Sequence, residues 1–228
     1  MADFDLTLPE TELRVPDGEE TRLIFSTSGF TLPEGAVLGV RGASGAGKST
    51  FLKLLSGILT PTRGAVRWGA VNLSLLTESA RDRWRGEHCG FLFQDFRLFE
   101  DLTAEENVLL PTTFTRALRS EDHVRARGLL KARGVRPDTR ARLLSRGEMQ
   151  RTALARVLFA EPQVILADEP TASLDRLRAA EAVEALLEAA RTLGATLILV
   201  SHDERVLLEL PRLVEVADGR LIDLSGRR

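Results

Sequence analysis

The sequence predicts an α/β fold built on a mostly parallel sheet, and three observations carry that expectation. Apolar strands without polar alternation at residues 36–40, 164–167 and 195–200 are separated by helical stretches, the pattern of a parallel sheet covered on both faces. A glycine-rich loop at residues 42–49 joins the first of these strands to a helix. Residues 103–142 are rich in Arg, Glu, Ala and Leu, with helical spacing and few strand signals. At 228 residues the chain suffices for one domain with a small inserted subdomain. The core is expected over about residues 1–95 and 155–228, with a helical subdomain over about 96–154.

The elements follow in order. Residues 5–8, 13–15 and 22–25 are extended and separated by Pro9, Pro16 and Gly18, which predicts an N-terminal antiparallel β subdomain. Pro33-Glu34-Gly35 is a turn into the strand 36–40. From Lys48 the pattern becomes helical, with Phe51, Leu52, Leu54 and Leu55 before Gly57. Cys89 lies in the apolar run 89–93 and is expected to be buried rather than reactive. After the strand 164–167, a helix fits residues 177–192, with Val183, Leu186, Leu187 and Ala190 on one face. The strand 195–200 succeeds it, and residues 214–224, turning at Asp218-Gly219, form a closing hairpin.

Composition narrows the function. The net charge is -2, and the Arg-rich stretch 116–146 is interleaved with acidic and apolar residues, as on a solvated helical face. No nucleic-acid partner is expected. A single cysteine excludes an internal disulfide. No apolar run approaches the roughly 20 residues that cross a bilayer. The start of the chain lacks the basic and apolar segments of a signal peptide. A cytoplasmic location is therefore expected, with any membrane attachment made through another polypeptide.

The chemistry begins at Gly42-Ala43-Ser44-Gly45-Ala46-Gly47-Lys48-Ser49, which fits G-x-x-x-x-G-K-[ST] with a strand before it and a helix after. Glycines let the backbone wrap closely, so that successive N–H groups face phosphate oxygens. The helix beginning near Lys48 adds the positive end of its dipole. Lys48 is expected to reach the β- and γ-phosphates of ATP, and the Ser49 hydroxyl to bind magnesium; Thr50 completes the loop. This identifies a P-loop nucleotide hydrolase. The strand 164–167 then ends in Asp168 and Glu169, whose side chains must point differently because side chains alternate along a strand. Asp168 is the candidate for magnesium and Glu169 for polarising the attacking water.

With these residues in view, the sequence resembles the ABC transporter ATPase family over nearly its whole length. Leu144-Ser145-Arg146-Gly147-Glu148-Met149-Gln150-Arg151 resembles the family's signature. Gln94, after Gly90-Phe91-Leu92-Phe93, looks like the Q-loop glutamine; Ser173-Leu174-Asp175 matches the D-loop and His202 the switch histidine. The resemblance implies a RecA-like P-loop core. Magnesium would be held by Ser49, Gln94 and Asp168, and Glu169, His202, Lys48 and Gln94 would be catalytic. The nucleotide would contact Gly42, Ser44, Gly45, Ala46, Gly47, Lys48, Ser49 and Thr50 of one chain. Ser145, Gly147, Glu148 and Asp175 would come from a second copy. It further implies a head-to-tail homodimer around two ATP and a separate integral membrane permease, which would hold the chain at the cytoplasmic face of the inner (plasma) membrane. Residues 167–175, with 97–99 and 102–108, look most like the lipoprotein-release and macrolide-export branch. Independently of the resemblance, Ser145 and Glu148 form S-x-x-E, a capping box opening the amphipathic stretch 149–159.

Two departures stand out. Arg146 replaces the usual second glycine of the signature, where it either crowds the partner's nucleotide or adds a charged contact to phosphate. The chain has no tyrosine, although the family stacks an aromatic ring on adenine; that position falls near Leu23, with Phe25 as a stacking or a core residue. Two alternatives remain: an ABC-type ATPase without solute transport, acting in regulation or mechanotransmission, and a nucleotide-binding subunit with little hydrolysis.

Overall fold

The computed structural model describes residues 4–18, 20–172 and 176–224. The N-terminal part runs through β1 (Leu6–Leu8), β2 (Thr11–Asp17), β3 (Glu20–Thr27), β4 (Phe30–Leu32) and β5 (Val37–Arg41). Then come α1 (Lys48–Leu55), β6 (Arg67–Trp68), β7 (Val71–Asn72), α2 (Glu78–His88) and β8 (Cys89–Phe93). The middle is helical, with α3 (Ala104–Thr113), α4 (Ser120–Ala132) and α5 (Arg146–Ala160). The chain closes with β9 (Val164–Asp168), α6 (Arg176–Leu193), β10 (Thr196–Val200), α7 (Glu204–Leu208), β11 (Arg212–Ala217) and β12 (Arg220–Asp223).

Among the described residues, the main sheet has the order β2-β3-β12-β11-β5-β10-β9-β8, and β11, β5, β10, β9 and β8 are mutually parallel. The fold is that of a P-loop nucleotide hydrolase, with β4-β1-β6-β7 as a small antiparallel sheet beside it. The central strands β9 and β10 are buried nearly throughout, which explains why they read as apolar runs rather than as alternation. The expected hairpin turns at Asp218 and Gly219, both left-handed at φ 47° and 73°.

One boundary differs from the sequence expectation. Pro16 does not end the second strand, because β2 runs through it to Asp17. The strand lies at the edge of the sheet, with β3 as its neighbouring strand and a bridge to Arg63 only at Glu12, so the missing N–H of proline costs no ladder bond on its open side. Phe25 is fully buried and stacks on Phe51 with ring centroids 5.3 Å apart, so it belongs to the core and does not await a base. Burying a phenylalanine in this way stabilises a fold by about 1.5–3 kcal/mol.

Three apolar clusters organise the interior. The first lies between the two sheets and around α1, and contains Phe25, Phe51 and Trp68. Phe4, Trp68, Trp84 and His88 form an aromatic stack at its rim, with Phe4 and Trp68 centroids 5.5 Å apart and Trp84 and His88 5.1 Å apart. Burial pushes the Cys89 thiol up to about 12, which keeps it uncharged at neutral pH. The second cluster packs α5 and α6 against the other face of the sheet. The third is internal to the helical insert, where Val108, Leu130 and Leu144 meet Ala155 and Phe159 of α5.

Helix α5 is therefore shared. Ala153, Leu154 and Val157 face the sheet cluster, while Ala155 and Phe159 face the insert. Its start is fixed by the expected capping box: the Ser145 N–H donates to Glu148 Oε2 at 2.9 Å, and the Glu148 N–H donates to Ser145 Oγ at 3.4 Å. The bonds that Glu148 Oε2 accepts, first from the Ser145 hydroxyl at 2.6 Å and then from the Ser145 N–H, hold the Glu148 carboxyl below its ordinary value.

Candidate functional site

The parallel register assembles the site. Val40 of β5 lies beside Val200 of β10, Val200 beside Asp168 of β9, and Asp168 beside Phe93 of β8. Four strands thus end level, and the loops that leave their carboxyl ends begin with Gly42, Ser201, Glu169 and Gln94. A crevice at the carboxyl ends of parallel strands is where open α/β sheets place ligands. Here it is a cleft of about 950 Å³.

One wall is the phosphate loop. Gly42, Ser44, Gly45, Gly47, Lys48, Ser49 and Thr50 all line the cleft. Gly47 caps α1 in a left-handed conformation at φ 107° and offers no side-chain acceptor to the first N–H groups of the helix. Those donors are left for a ligand, which is how a helix start binds an anion. Lys48 is buried, and its Nζ donates to the carbonyls of Gly42 at 2.8 Å and Ala43 at 3.0 Å. Ala43 and Ala46 are the exceptions in the loop. They line an adjoining cleft of about 620 Å³ with Arg22, Leu23 and Ile24, and the Ala46 carbonyl accepts from Gly219 N–H at 3.2 Å. Among the described residues, no aromatic side chain lines that second cleft.

The opposite wall carries Gln94, Asp168, Glu169 and His202. The expected divergence of Asp168 and Glu169 is not the alternation of a strand. β9 ends at Asp168, Glu169 is left-handed at φ 51°, and both side chains line the cleft. A left-handed non-glycine residue costs about 1–2 kcal/mol and is held here by the bond from Glu169 N–H to the Val200 carbonyl at 3.0 Å. Glu169 Oε2 is hydrogen-bonded to His202 Nδ1, and Glu169 Oε1 lies 3.9 Å from Lys48 Nζ. A carboxylate held between an imidazole and an ammonium group, at the edge of a phosphate-binding loop, is placed to take up a proton from water.

The metal assignment can be tested on donor chemistry. Ser49, Gln94 and Asp168 share the cleft and offer a hydroxyl, an amide carbonyl and a carboxylate. This all-oxygen set suits magnesium, which keeps several of its waters and takes the rest of its ligands from carboxylates and phosphates.

The signature residues lie apart from this set. Ser145 and Gly147 line a smaller cavity of about 320 Å³ with Gln150 and Arg178, and Glu148 is engaged with Ser145. Arg146, between them, lines the phosphate cleft instead. Asp175, with Ser173 and Leu174, lies outside the described residues. Sequence reading missed Phe96 and Arg97, which follow Gln94 in left-handed conformation at φ 58° and 49°. Neither is glycine, so nothing in their side chains announces that geometry. Arg156 of α5 holds them by donating to the carbonyls of Phe96 at 2.8 Å and Arg97 at 2.9 Å.

Comparison with known proteins adds three findings. The family described as ABC transporter is matched over residues 25–172. A macrolide export ATP-binding/permease protein, MacB, of Burkholderia thailandensis is 36% identical over 97% of this chain, and another from Burkholderia pseudomallei is 35% identical over 95%. The chain spans about a third of the length of these relatives, 34% and 33%. Among solved structures, a dimeric post-hydrolysis state of the ATP-binding cassette MJ0796 bound to ADP and Pi matches with a TM-score of 0.85 and 31% identity, covering 96% of this chain and 98% of that one. The protein cbiO1 of Clostridium perfringens, part of the ABC transporter complex cbiONQ, matches with a TM-score of 0.83 and 27% identity over 96% of this chain and 87% of that one.

Proposed function

The chain belongs to the ABC transporter family, and from that premise we propose that it is the ATP-hydrolysing subunit of a transporter, working as a head-to-tail pair of copies on a separate membrane permease. The observation that carries this reading is the level ending of β5, β10, β9 and β8, which brings a phosphate loop, a histidine, two carboxylates and a glutamine to one cleft.

The roles follow from the positions. Backbone N–H groups of residues 42–50 and the start of α1 bind the phosphates, and Lys48 exchanges its bonds to the loop carbonyls for β- and γ-phosphate oxygens. Glu169, oriented by His202, draws a proton from the water that attacks the γ-phosphorus. The new P–O bond forms as the bond to the β–γ bridging oxygen breaks, releasing ADP and phosphate. Magnesium, when bound by Ser49, Gln94 and Asp168, offsets the charge that gathers on the phosphate oxygens.

Ser145, Gly147 and Glu148 lie outside their own chain's phosphate cleft, at the capped start of α5. That helix end is suited to the γ-phosphate of a nucleotide held by a second copy, so each site is half of a pair and the assembly is two-fold symmetric. Asp175 is proposed for the same interface. The permease docks in an apolar groove that borders the Gln94 loop between α2 and α3, lined by Phe91, Phe93, Leu110 and Pro111 and flanked by the exposed rings of Phe99 and Phe114. Among the described residues no helix is long and apolar enough to cross a membrane. Attachment at the cytoplasmic face of the inner membrane is therefore proposed to come through that permease.

The purified chain is expected to hydrolyse ATP in magnesium, and chelating the magnesium is expected to remove all turnover above background. A tagged chain recovered from detergent-solubilised membranes is expected to carry with it a polypeptide with transmembrane helices. Magnesium-independent turnover, or recovery with no membrane protein from membranes that hold it, would overturn the corresponding part of the reading.

A further inference from the structure

After β8 the chain turns in a conformation that side chains oppose. Phe96 and Arg97 are both left-handed and neither is glycine, so the turn keeps its shape only where the surroundings hold it. Two local bonds close it, from Phe96 N–H to the Phe93 carbonyl at 3.0 Å and from Arg97 N–H to the Asp95 carbonyl at 2.7 Å. The carbonyls of the strained pair are both taken by one side chain of α5. Arg156 donates through Nη2 to Phe96 at 2.8 Å and through Nη1 to Arg97 at 2.9 Å. Burial holds the Arg156 pKa below its ordinary value, so the guanidinium has given up water and the two carbonyls replace it. A planar fork fixes two acceptors at once, which a point charge cannot do.

Gln94 lies between this turn and a fixed strand end. Its neighbour Phe93 is the last residue of β8 and pairs in register with Asp168. With one flank set by the sheet, the place of the glutamine in the phosphate cleft is set by the other. Arg156 also lines the apolar groove with Phe93 and Arg97. One side chain therefore joins α5, the Gln94 loop and the surface assigned to the permease.

We propose that Arg156 is a positioning residue for Gln94: by holding the left-handed turn at Phe96 and Arg97, it keeps the glutamine where its carbonyl serves magnesium. This rests on the ATPase reading above, with its metal set of Ser49, Gln94 and Asp168, and extends that set to a residue behind it. Arg156 acts through the backbone of the loop. Groups that orient a metal's ligands from behind typically change metal affinity by about 10–100-fold when they are lost. The effect should therefore fall on the metal-dependent part of ATP binding and spare the part made by the phosphate loop alone.

The test is calorimetric titration of ATP into the full chain, once with magnesium and once with the metal chelated. Arg156→Ala is expected to weaken ATP binding about tenfold in magnesium and to leave it within about twofold without the metal. Gln94→Ala should give the same pair of results, and the double variant should lose no more than either single one, because both remove one contact. Arg156→Lys reaches one carbonyl in place of two and is expected to lose about threefold in magnesium, which keeps the comparison available if the alanine variant does not fold. Adding Arg97→Gly to Arg156→Ala is expected to recover part of the loss, since glycine takes the left-handed conformation without support. A side chain that merely fills space would not respond to that second change. Equal losses with and without magnesium, additive losses in the double variant, or no recovery by the glycine would overturn the proposal. A wild-type chain that binds ATP no better with magnesium than without it would instead overturn the metal assignment beneath it.

Discussion

Glu169→Gln is expected to lower ATP turnover by about two to three orders of magnitude while leaving ATP binding within a few-fold of wild type. General-base groups typically contribute 10²–10⁴ to a rate, and glutamine keeps the shape of glutamate without its basicity. The left-handed turn at residue 169 depends on a backbone bond to Val200, which the substitution does not touch. The side chain also retains an oxygen for His202. A cassette that binds ATP and cannot cleave it should accumulate as a dimer, visible as an ATP-dependent shift in size-exclusion chromatography. Loss of turnover with no such dimer would separate the base from the dimerisation cycle and argue against the paired mechanism. Turnover near the wild-type rate would show that another group takes the proton.

Gly42→Ala carries the second large effect, and Gly45→Ala is its internal control. At Gly42, with φ 152°, an added Cβ would lie 2.3 Å from the carbonyl oxygen of Val216. That oxygen belongs to β11, whose pairing to β5 fixes the very strand from which the loop departs, so neither side can yield. The loop must therefore shift away from the phosphates. An ATP affinity at least 100-fold weaker is expected in titration, together with a stability loss of about 1–3 kcal/mol of overpacking strain. At Gly45, with φ 77°, an added Cβ meets nothing within 4 Å. Only the backbone cost of about 1–2 kcal/mol remains. Its affinity is expected to fall by less than tenfold. Equal losses at both positions would mean that the loop tolerates its backbone poorly everywhere, and that contact with Val216 decides nothing.

Much of this site was legible because its chemistry is local in sequence. The phosphate loop needs adjacent glycines followed by Lys48 and Ser49, and the carboxylates follow an apolar strand directly. A buried parallel strand must be apolar, so β9 and β10 announced themselves. What stayed hidden depends on tertiary placement. Pro16 signalled a break, but the strand containing it lies at a sheet edge where the missing donor is harmless. Phe96 and Arg97 take a glycine-like backbone without being glycine, because Arg156, 60 and 59 residues further along the chain, binds their carbonyls. Arg146 could be seen to break the signature pattern, but not to line the same cleft as Lys48, which only the tertiary placement of α5 decides. Leu23 and Phe25 left the adenine contact open; the burial of Phe25 removes it from the choice.

The aromatic stack of Phe4, Trp68, Trp84 and His88 has an optical consequence. The chain has two tryptophans and no tyrosine, and both tryptophans sit in that stack, on β6 and α2. Essentially all ultraviolet emission therefore originates beside the small sheet. The helical insert is dark: it can swing, dock or melt without altering the spectrum, whereas loosening of the small sheet changes it at once. A fluorescence melting curve of this chain reports on one corner of the molecule. Lighting the other half takes a new fluorophore, for which the exposed Phe114, at 81% accessibility on the rim of the groove, is a natural place.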